Sequence, residues 1–406
     1  MTIERHVQPP AGVKSFLGDI SGVHAVNAIV GFIFAASGPV AIILAVGSRG
    51  GLSEAELASW IFGVFFINGL ISIGFCLFYR QPLVFFWTIP GTVLIGPALT
   101  HLTYPEVIGA YLATGALMLA LGLSGLVRRS MEAVPMPIVM GMVAGVFLQF
   151  GLDWIVAVRD GFQIAAPMTV MFFAAMAVPG LARRLPPLIA ALVVGIVAVL
   201  LTGGFAPTTE TAQVLAAPQL RLPEFSVQAM VELVIPLAIT VLVVQNGQGI
   251  AILTAVGHKP PINAITVACG VGSLVSTFVG AVSTCLTGPV NAIISGSGER
   301  DGQYTAGVLV GLLALAFGLM APLFTNLMLA APAAFIATLA GLAMLRVLQS
   351  AFVIAFRDRF TLGALVTFLV TVSEISLFNI GAPFWGLVFG FLTSWLLERQ
   401  DFQAKD

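Results

Sequence analysis

Gly280-Ala281-Val282-Ser283-Thr284-Cys285-Leu286-Thr287-Gly288-Pro289-Val290-Asn291 interrupts a long apolar region, and its reading decides the fold. Proline has no N–H to donate and fits a helix only in the first turn. Threonine is a good N-cap. Thr-x-Pro in mid-segment therefore predicts that an extended stretch ends there and a helix begins. Phe85-Phe86-Trp87-Thr88-Ile89-Pro90-Gly91-Thr92 carries the same signal. Extended backbone in a bilayer leaves polar groups unpaired, which is tolerable only where it lines a cavity or pairs with protein. Two opposed stretches can pair with each other. Each helix start then presents free N–H groups and the positive end of a dipole, an anion site without a buried cation. The plainer alternative is two proline kinks with no ligand.

Composition places both stretches in lipid. Of 406 residues, 17 are Lys or Arg and 18 are Asp or Glu, so 9% are charged and 59% are hydrophobic. An ordinary soluble domain carries about 25% charged residues, and these charges are too few to cover so much apolar surface. The 43 glycines and 23 prolines fit helices that pack closely and break. A soluble enzyme and a disordered scaffold are excluded, and a net charge of −1 offers no basic footprint for nucleic acid. A β-barrel is excluded because its alternating segments run only about 10 residues. Cys76, Cys269 and Cys285 fall in apolar segments without paired spacing and read as small buried hydrophobes. No metal or cofactor is expected. The polar stretch from Met1 to Lys14 lacks a leader pattern, so no signal peptide is expected.

Hydropathy predicts about fourteen spans, near 25–46, 57–79, 83–100, 105–127, 134–156, 165–182, 187–203, 228–256, 262–279, 282–298, 304–327, 332–355, 361–377 and 382–397. Polar punctuation separates them, including Arg80-Gln81-Pro82, Arg128-Arg129, Arg183-Arg184 and Arg357-Asp358-Arg359. One long connection runs from about Thr202 to Ser226. With both termini cytoplasmic, only Arg49, Arg159 and Arg221 fall outside and the rest of the 17 basic residues fall inside. Ala41-Ile42-Ile43-Leu44-Ala45-Val46-Gly47 in span 1 is echoed by Ala251-Ile252-Leu253-Thr254-Ala255-Val256-Gly257 in span 8. Thr-x-Pro follows two spans later in each half. A seven-span offset turns the second copy upside down, and inverted repeats with broken helices mark secondary transporters.

Span 8 also carries Gln245-Asn246-Gly247-Gln248-Gly249 amid apolar residues. Buried amides need partners, either neighbouring helices or a substrate, and an amide can donate to a carboxylate or accept from an acid. Asp153, Glu232 and Glu374 lie toward the outer ends of their spans, as interfacial groups or as part of a proton path. Glu374 is the proton-coupling candidate. His24 reads as interfacial and His101 as a residue of an outer loop. No intramembrane His–Glu metal set or nucleophile–base pair suggests an enzyme.

These motifs resemble the benzoate:proton symporter family. Trp87-Thr88-Ile89-Pro90-Gly91 resembles that family's Trp-Ser-Thr-Pro-Gly, and Gln245-Asn246-Gly247-Gln248-Gly249-Ile250-Ala251 its Gln-Asn-x-Pro-Gly-Ile-Ala. Phe368-Leu369-Val370-Thr371-Val372-Ser373 and Ala382-Pro383-Phe384-Trp385-Gly386-Leu387 resemble a later block. The chain departs from the family pattern at Cys285–Ile293, at Glu374 where Gly is typical, and at Asn379 and Pro383. More distantly the plan is similar to nucleobase:cation symporters and sulfate-type anion transporters.

The resemblance implies an all-α polytopic membrane protein with a 7+7 inverted repeat and UraA-like core and gate domains. Spans 3 and 10 would be half-helices preceded by short strands. The core would be residues 20–130 and 228–327, and the gate 131–227 and 328–400. It implies elevator-type proton symport of benzoate or a similar monocarboxylate across a bacterial-type inner membrane, with a homodimer as an expectation. The carboxylate would meet Thr88, Gly91, Thr92, Thr287 and Gly288, with Gln245, Asn246 and Asn291 completing its hydrogen bonds. Phe34 and Trp87 would wall the ring. Nucleobase carriers typically hold a Glu where this chain has Gln245, which argues for an organic anion. A nucleobase:proton symporter and an inorganic-anion exchanger or channel stay open as alternatives.

Overall fold

Thr88 and Thr287 divide extended chain from helix as the two Thr-x-Pro signals predict. The computed structural model describes residues 3–6, 8–132, 135–178, 186–204, 213–375, 377–378 and 380–403. The readings that fall on Arg183, Arg184, Ser376 and Asn379 lie outside the described residues. Short strands Phe85–Trp87 (β1) and Thr284–Leu286 (β2) precede half-helices Ile89–Ala98 and Gly288–Ser295.

The other spans are helical from end to end apart from a break in span 1. In the first half they are Gly22–Arg49, Glu54–Tyr79, Tyr104–Ser124, Met136–Asp160, Phe162–Ala177 and Pro187–Thr202. In the second they are Val227–Ala255, Ile262–Thr277, Gln303–Leu319, Ala333–Ala355, Thr361–Val372 and Ala382–Leu397. The chain is an all-α polytopic membrane protein. Local chemistry sets the boundaries. Ser21 and Ser226 cap spans 1 and 8, and Ser53 with Glu56 forms a capping box at span 2.

Four details differ from the sequence expectation. Span 1 breaks at Ser37, just before Pro39. Spans 2 and 8 each contain a π-helical turn, Gly63–Ile67 and Thr240–Asn246. Span 11 stops at Leu319 rather than near 327, because Pro322 starts a separate helix, Ala321–Leu329. Span 13 stops at Val372 rather than 377, and Glu374 adopts a left-handed φ of 55° beyond it.

The helices pack in two sets. In one, span 2 lies on span 11, span 4 on spans 8 and 9, and half-helix 10 on spans 1 and 8. In the other, span 5 lies against spans 12 and 13, span 14 against span 13, and span 6 against span 7. The sets meet where span 1 crosses span 12, half-helix 3 touches span 5 and span 8 touches span 14. Gly38 permits the first crossing: a Cβ there would lie 2.3 Å from the Ala343 Cβ. The described part of the connection before span 8, residues 213–226, runs without helix or strand. It is pinned by Gln219 N–H on Ser59 Oγ (2.9 Å), Arg221 N–H on the Phe278 carbonyl (2.9 Å) and an Arg221–Glu56 ion pair (2.8 Å).

Candidate anion site at two opposed half-helices

The two strands pair antiparallel, with Phe85 opposite Leu286, Phe86 opposite Cys285 and Trp87 opposite Thr284. The ribbon continues through Thr88 N–H to the Ser283 carbonyl and Thr287 N–H to the Val84 carbonyl, both 3.1 Å. A two-stranded ribbon still has outer edges, and lipid cannot satisfy them. Side chains do so instead. Ser72 of span 2 accepts from Phe85 N–H at 2.8 Å, and Ser273 of span 9 accepts from Thr284 N–H at 3.0 Å. Each serine acts on the first residue of its strand.

Two amides complete the edges. Asn246 Oδ1 accepts from Leu286 N–H at 2.8 Å. Asn291 Oδ1 accepts from Val84 N–H at 3.0 Å, and its Nδ2 donates to the Val84 carbonyl at 3.2 Å. Asn291 is fully buried and Asn246 nearly so. Sequence reasoning gave both residues to the substrate. The structure engages their amides with backbone, so they hold the walls of the site.

The strands bring the half-helix N-termini face to face, but the two first turns differ. Thr88 Oγ1 accepts from Gly91 N–H at 3.1 Å and donates to Thr240 Oγ1 at 3.0 Å, and Thr92 Oγ1 donates to the Thr88 carbonyl. Thr88 and Thr92 are both fully buried. Gly91 packs tightly there, since a Cβ would lie 2.3 Å from Thr88 Cγ2 and 3.0 Å from Leu237 Cδ2. Thr287 makes no capping bond, so half-helix 10 keeps its first-turn N–H groups uncapped. A Cβ on Gly288 would meet Gln248 Oε1 at 2.4 Å, which places an exposed amide beside that open turn. Gln245, in the π-helical turn of span 8, makes no side-chain hydrogen bond and keeps 6% exposure. A π-turn is a frequent mark of a functional site.

Trp87 packs between Phe65 and Phe86, with its indole N–H buried and unpaired. Phe34 is half-buried at the edge of the core. A cavity of about 450 Å³ opens beside the far end of half-helix 3, between Val46, Val93 and Gly96 on one side and Val146, Phe150 and Thr371 on the other. Arg49, His101, Gln149 and Glu374 rim it. Glu374 is exposed there. Among the described residues, no group of three His, Cys, Asp or Glu could hold a metal ion.

Sequence reasoning missed two partnerships. His101 Nε2 lies 2.9 Å from Oε2 of Glu232, whose side chain is only 4% exposed. The residues are far apart in sequence, and their only shared signal is that each is titratable in an apolar chain. His24 is buried rather than interfacial, with Nδ1 on Ser21 Oγ and Nε2 on the Glu299 carbonyl. At the opposite end of half-helix 10, Gln303 donates to the Ser295 carbonyl at 3.0 Å, and its Oε1 sits 2.8 Å from His258 Nε2.

Comparison with known proteins places this geometry. Residues 18–396 match the family described as benzoate membrane transport protein. The chain is 31% identical over 389 residues to inner membrane protein YdcO of Escherichia coli (strain K12), covering 95% of each. It is 28% identical over 370 residues to a benzoate membrane transport protein of Acinetobacter baylyi, covering 89% of this chain and 92% of that one. In fold it resembles the transmembrane domain of a cyanobacterium bicarbonate transporter, BicA, with a TM-score of 0.63, 17% identity and coverage of 92% and 98%. It also resembles SLC26A9, with a TM-score of 0.61, 14% identity and coverage of 97% and 68%. The relatives are membrane transporters rather than enzymes. The chain belongs to the benzoate membrane transport protein family.

Proposed function

We propose that the chain imports benzoate, or a similar aromatic monocarboxylate, by proton symport. The observation that carries this reading is the uncapped first turn of half-helix 10, with the exposed Gln248 amide beside it and Gln245 in the π-helical turn that packs on the preceding strand. A carboxylate there would accept from the first-turn N–H groups, from Thr287 Oγ1 and from the Gln245 amide, without any buried cation to neutralise. Asn246 and Asn291 would hold the ribbon that sets the distance between the two helix starts. Trp87 and Phe34 would face the ring.

The helix set containing the ribbon would be the core domain (20–130 and 228–327), and the other the gate (131–227 and 328–400). The core would carry the site across by an elevator movement against the gate. Both termini would be cytoplasmic, so the face carrying Arg49 and His101 would be outer. The homodimer belongs to this proposal too, with the gate helices as the shared face.

Thermal-shift titration of the detergent-solubilised protein tests the substrate class. A ligand that binds only the native state raises the melting temperature. Benzoate and substituted benzoates are expected to stabilise it, and uracil, sulfate and bicarbonate are not. Stabilisation by one of those three alone would overturn the proposal.

A further inference from the structure

Apolar core and gate surfaces can slide past one another, but a buried charge that bridges them cannot. Two charged bridges flank the outer cavity, and one of them is buried. Arg49 of span 1 pairs with Asp153 of span 5, and Gln149 steadies the same carboxylate at 2.9 Å. The second bridge is less exposed. Glu232, at the outer end of span 8, is held by His101 on one side. On the other it meets Gly381, the N-cap of span 14: the Gly381 amide hydrogen-bonds the carboxylate, and a Cβ there would lie 2.5 Å from Oε1. A core carboxylate thus sits on the positive end of a gate helix.

We propose that the His101–Glu232 pair binds the coupling proton and that its protonation unlatches the core from the gate. This rests on the symport reading above. Without the extra proton the pair carries one negative charge, pinned to the start of span 14. Taking that charge off the helix end into the apolar core–gate surface is costly. With the proton the pair is neutral overall, whichever member carries it, so moving it away from span 14 no longer strands a net charge. His101 and Gly381 both line the cavity, so a proton from the outer solution reaches Glu232 through His101.

The surrounding elements leave the pair distinct. Thr100 Oγ1 lies 3.3 Å from His101 Nδ1. Span 4 contributes Glu106, which is bound to Thr103, and Tyr104 and Tyr111, whose hydroxyls are buried. Glu374 and the Arg49–Asp153 pair face the cavity. Half-helix 3 and the outer end of span 14 bring no further titratable side chain.

Two readouts on the full-length protein test the latch. In proteoliposomes with acid outside, and with uptake into protein-free vesicles subtracted, Glu232→Gln is expected to exchange labelled benzoate yet lose pH-driven accumulation. Glu374→Gln is expected to keep both. Accumulation by Glu232→Gln at the native level would overturn the proposal, as would its loss in Glu374→Gln alone. The second readout needs no substrate. All three native cysteines are buried, so Leu148→Cys supplies a single cavity thiol for a membrane-impermeant maleimide. Labelling, expressed relative to that of a free thiol at the same pH because the thiolate is the reactive form, is expected to slow as the medium is acidified and to lose that dependence in Glu232→Gln. His101→Gln is expected to move the change to lower pH and guards against misfolding of the Glu232 variant. Labelling that ignores pH in the parent would overturn the latch. Failure of benzoate uptake with intact pH-dependent labelling would overturn the substrate reading alone.

Discussion

Half-helix 3 and half-helix 10 begin with the same Thr-x-Pro, yet one start is closed and the other open. Thr88 spends its hydroxyl on Gly91 and Thr240, and Gly91 is packed to contact. Thr287 caps nothing, and the side chain nearest Gly288 is a flexible glutamine. The pseudo-symmetry that builds a two-fold scaffold therefore does not build two equal anion sites. Half-helix 3 closes its own first turn, and half-helix 10 leaves its first turn without a threonine cap. The far ends differ likewise. Half-helix 3 runs into Thr100 and His101, whereas half-helix 10 is braced by Gln303 and His258.

Four substitutions can break or sharpen this comparison. The largest effect is expected for Asn291→Ala, which strands the N–H of Val84 in a dry interior and leaves its carbonyl with Thr287 N–H alone. An unsatisfied buried group costs about 1–3 kcal/mol, so the loss should reach about 3 kcal/mol and show as a collapse in melting temperature. Next, Thr88→Val is expected to cost about 1 kcal/mol of stability through its cap while leaving benzoate affinity per folded molecule nearly unchanged. Thr287→Val should do the reverse, weakening benzoate binding about tenfold, or about 1.4 kcal/mol, at unchanged melting temperature. Equal stability losses in both threonine variants would erase the distinction.

The smallest effect concerns pH. Burial pushes the His258 imidazole below its ordinary value, with Gln303 partly offsetting it. A depressed folded-state value means that the unfolded chain binds the proton first, so stability is present above the unfolded value and falls as the medium is acidified below it. His258→Gln is expected to remove that slope, read by melting curves across pH.

The strand-to-helix breaks were legible because proline's missing donor is a local fact. The fourteen spans were legible because lipid demands long apolar runs. Other features depend on partners that the sequence does not align. Asn246 and Asn291 look like substrate ligands until Leu286 and Val84 present edge groups that lipid cannot satisfy. The π-turn at Thr240–Asn246 packs against β2, a partner distant in sequence. The His101–Glu232 pair joins a turn residue to a helical residue of span 8 across the core set, and no spacing rule connects them. Span 13 was drawn through Glu374 on hydropathy, and the left-handed turn at Glu374 ends it earlier.

If half-helix 10 supplies the anion site, a density map of the protein with bound 4-iodobenzoate will show it. The iodine fixes the ring, and the carboxylate is expected within hydrogen-bond distance of the Gly288 and Val290 N–H groups, beside Thr287 and Gln245. A carboxylate held instead at the first turn of half-helix 3, or only in the outer cavity near Arg49, would contradict the account.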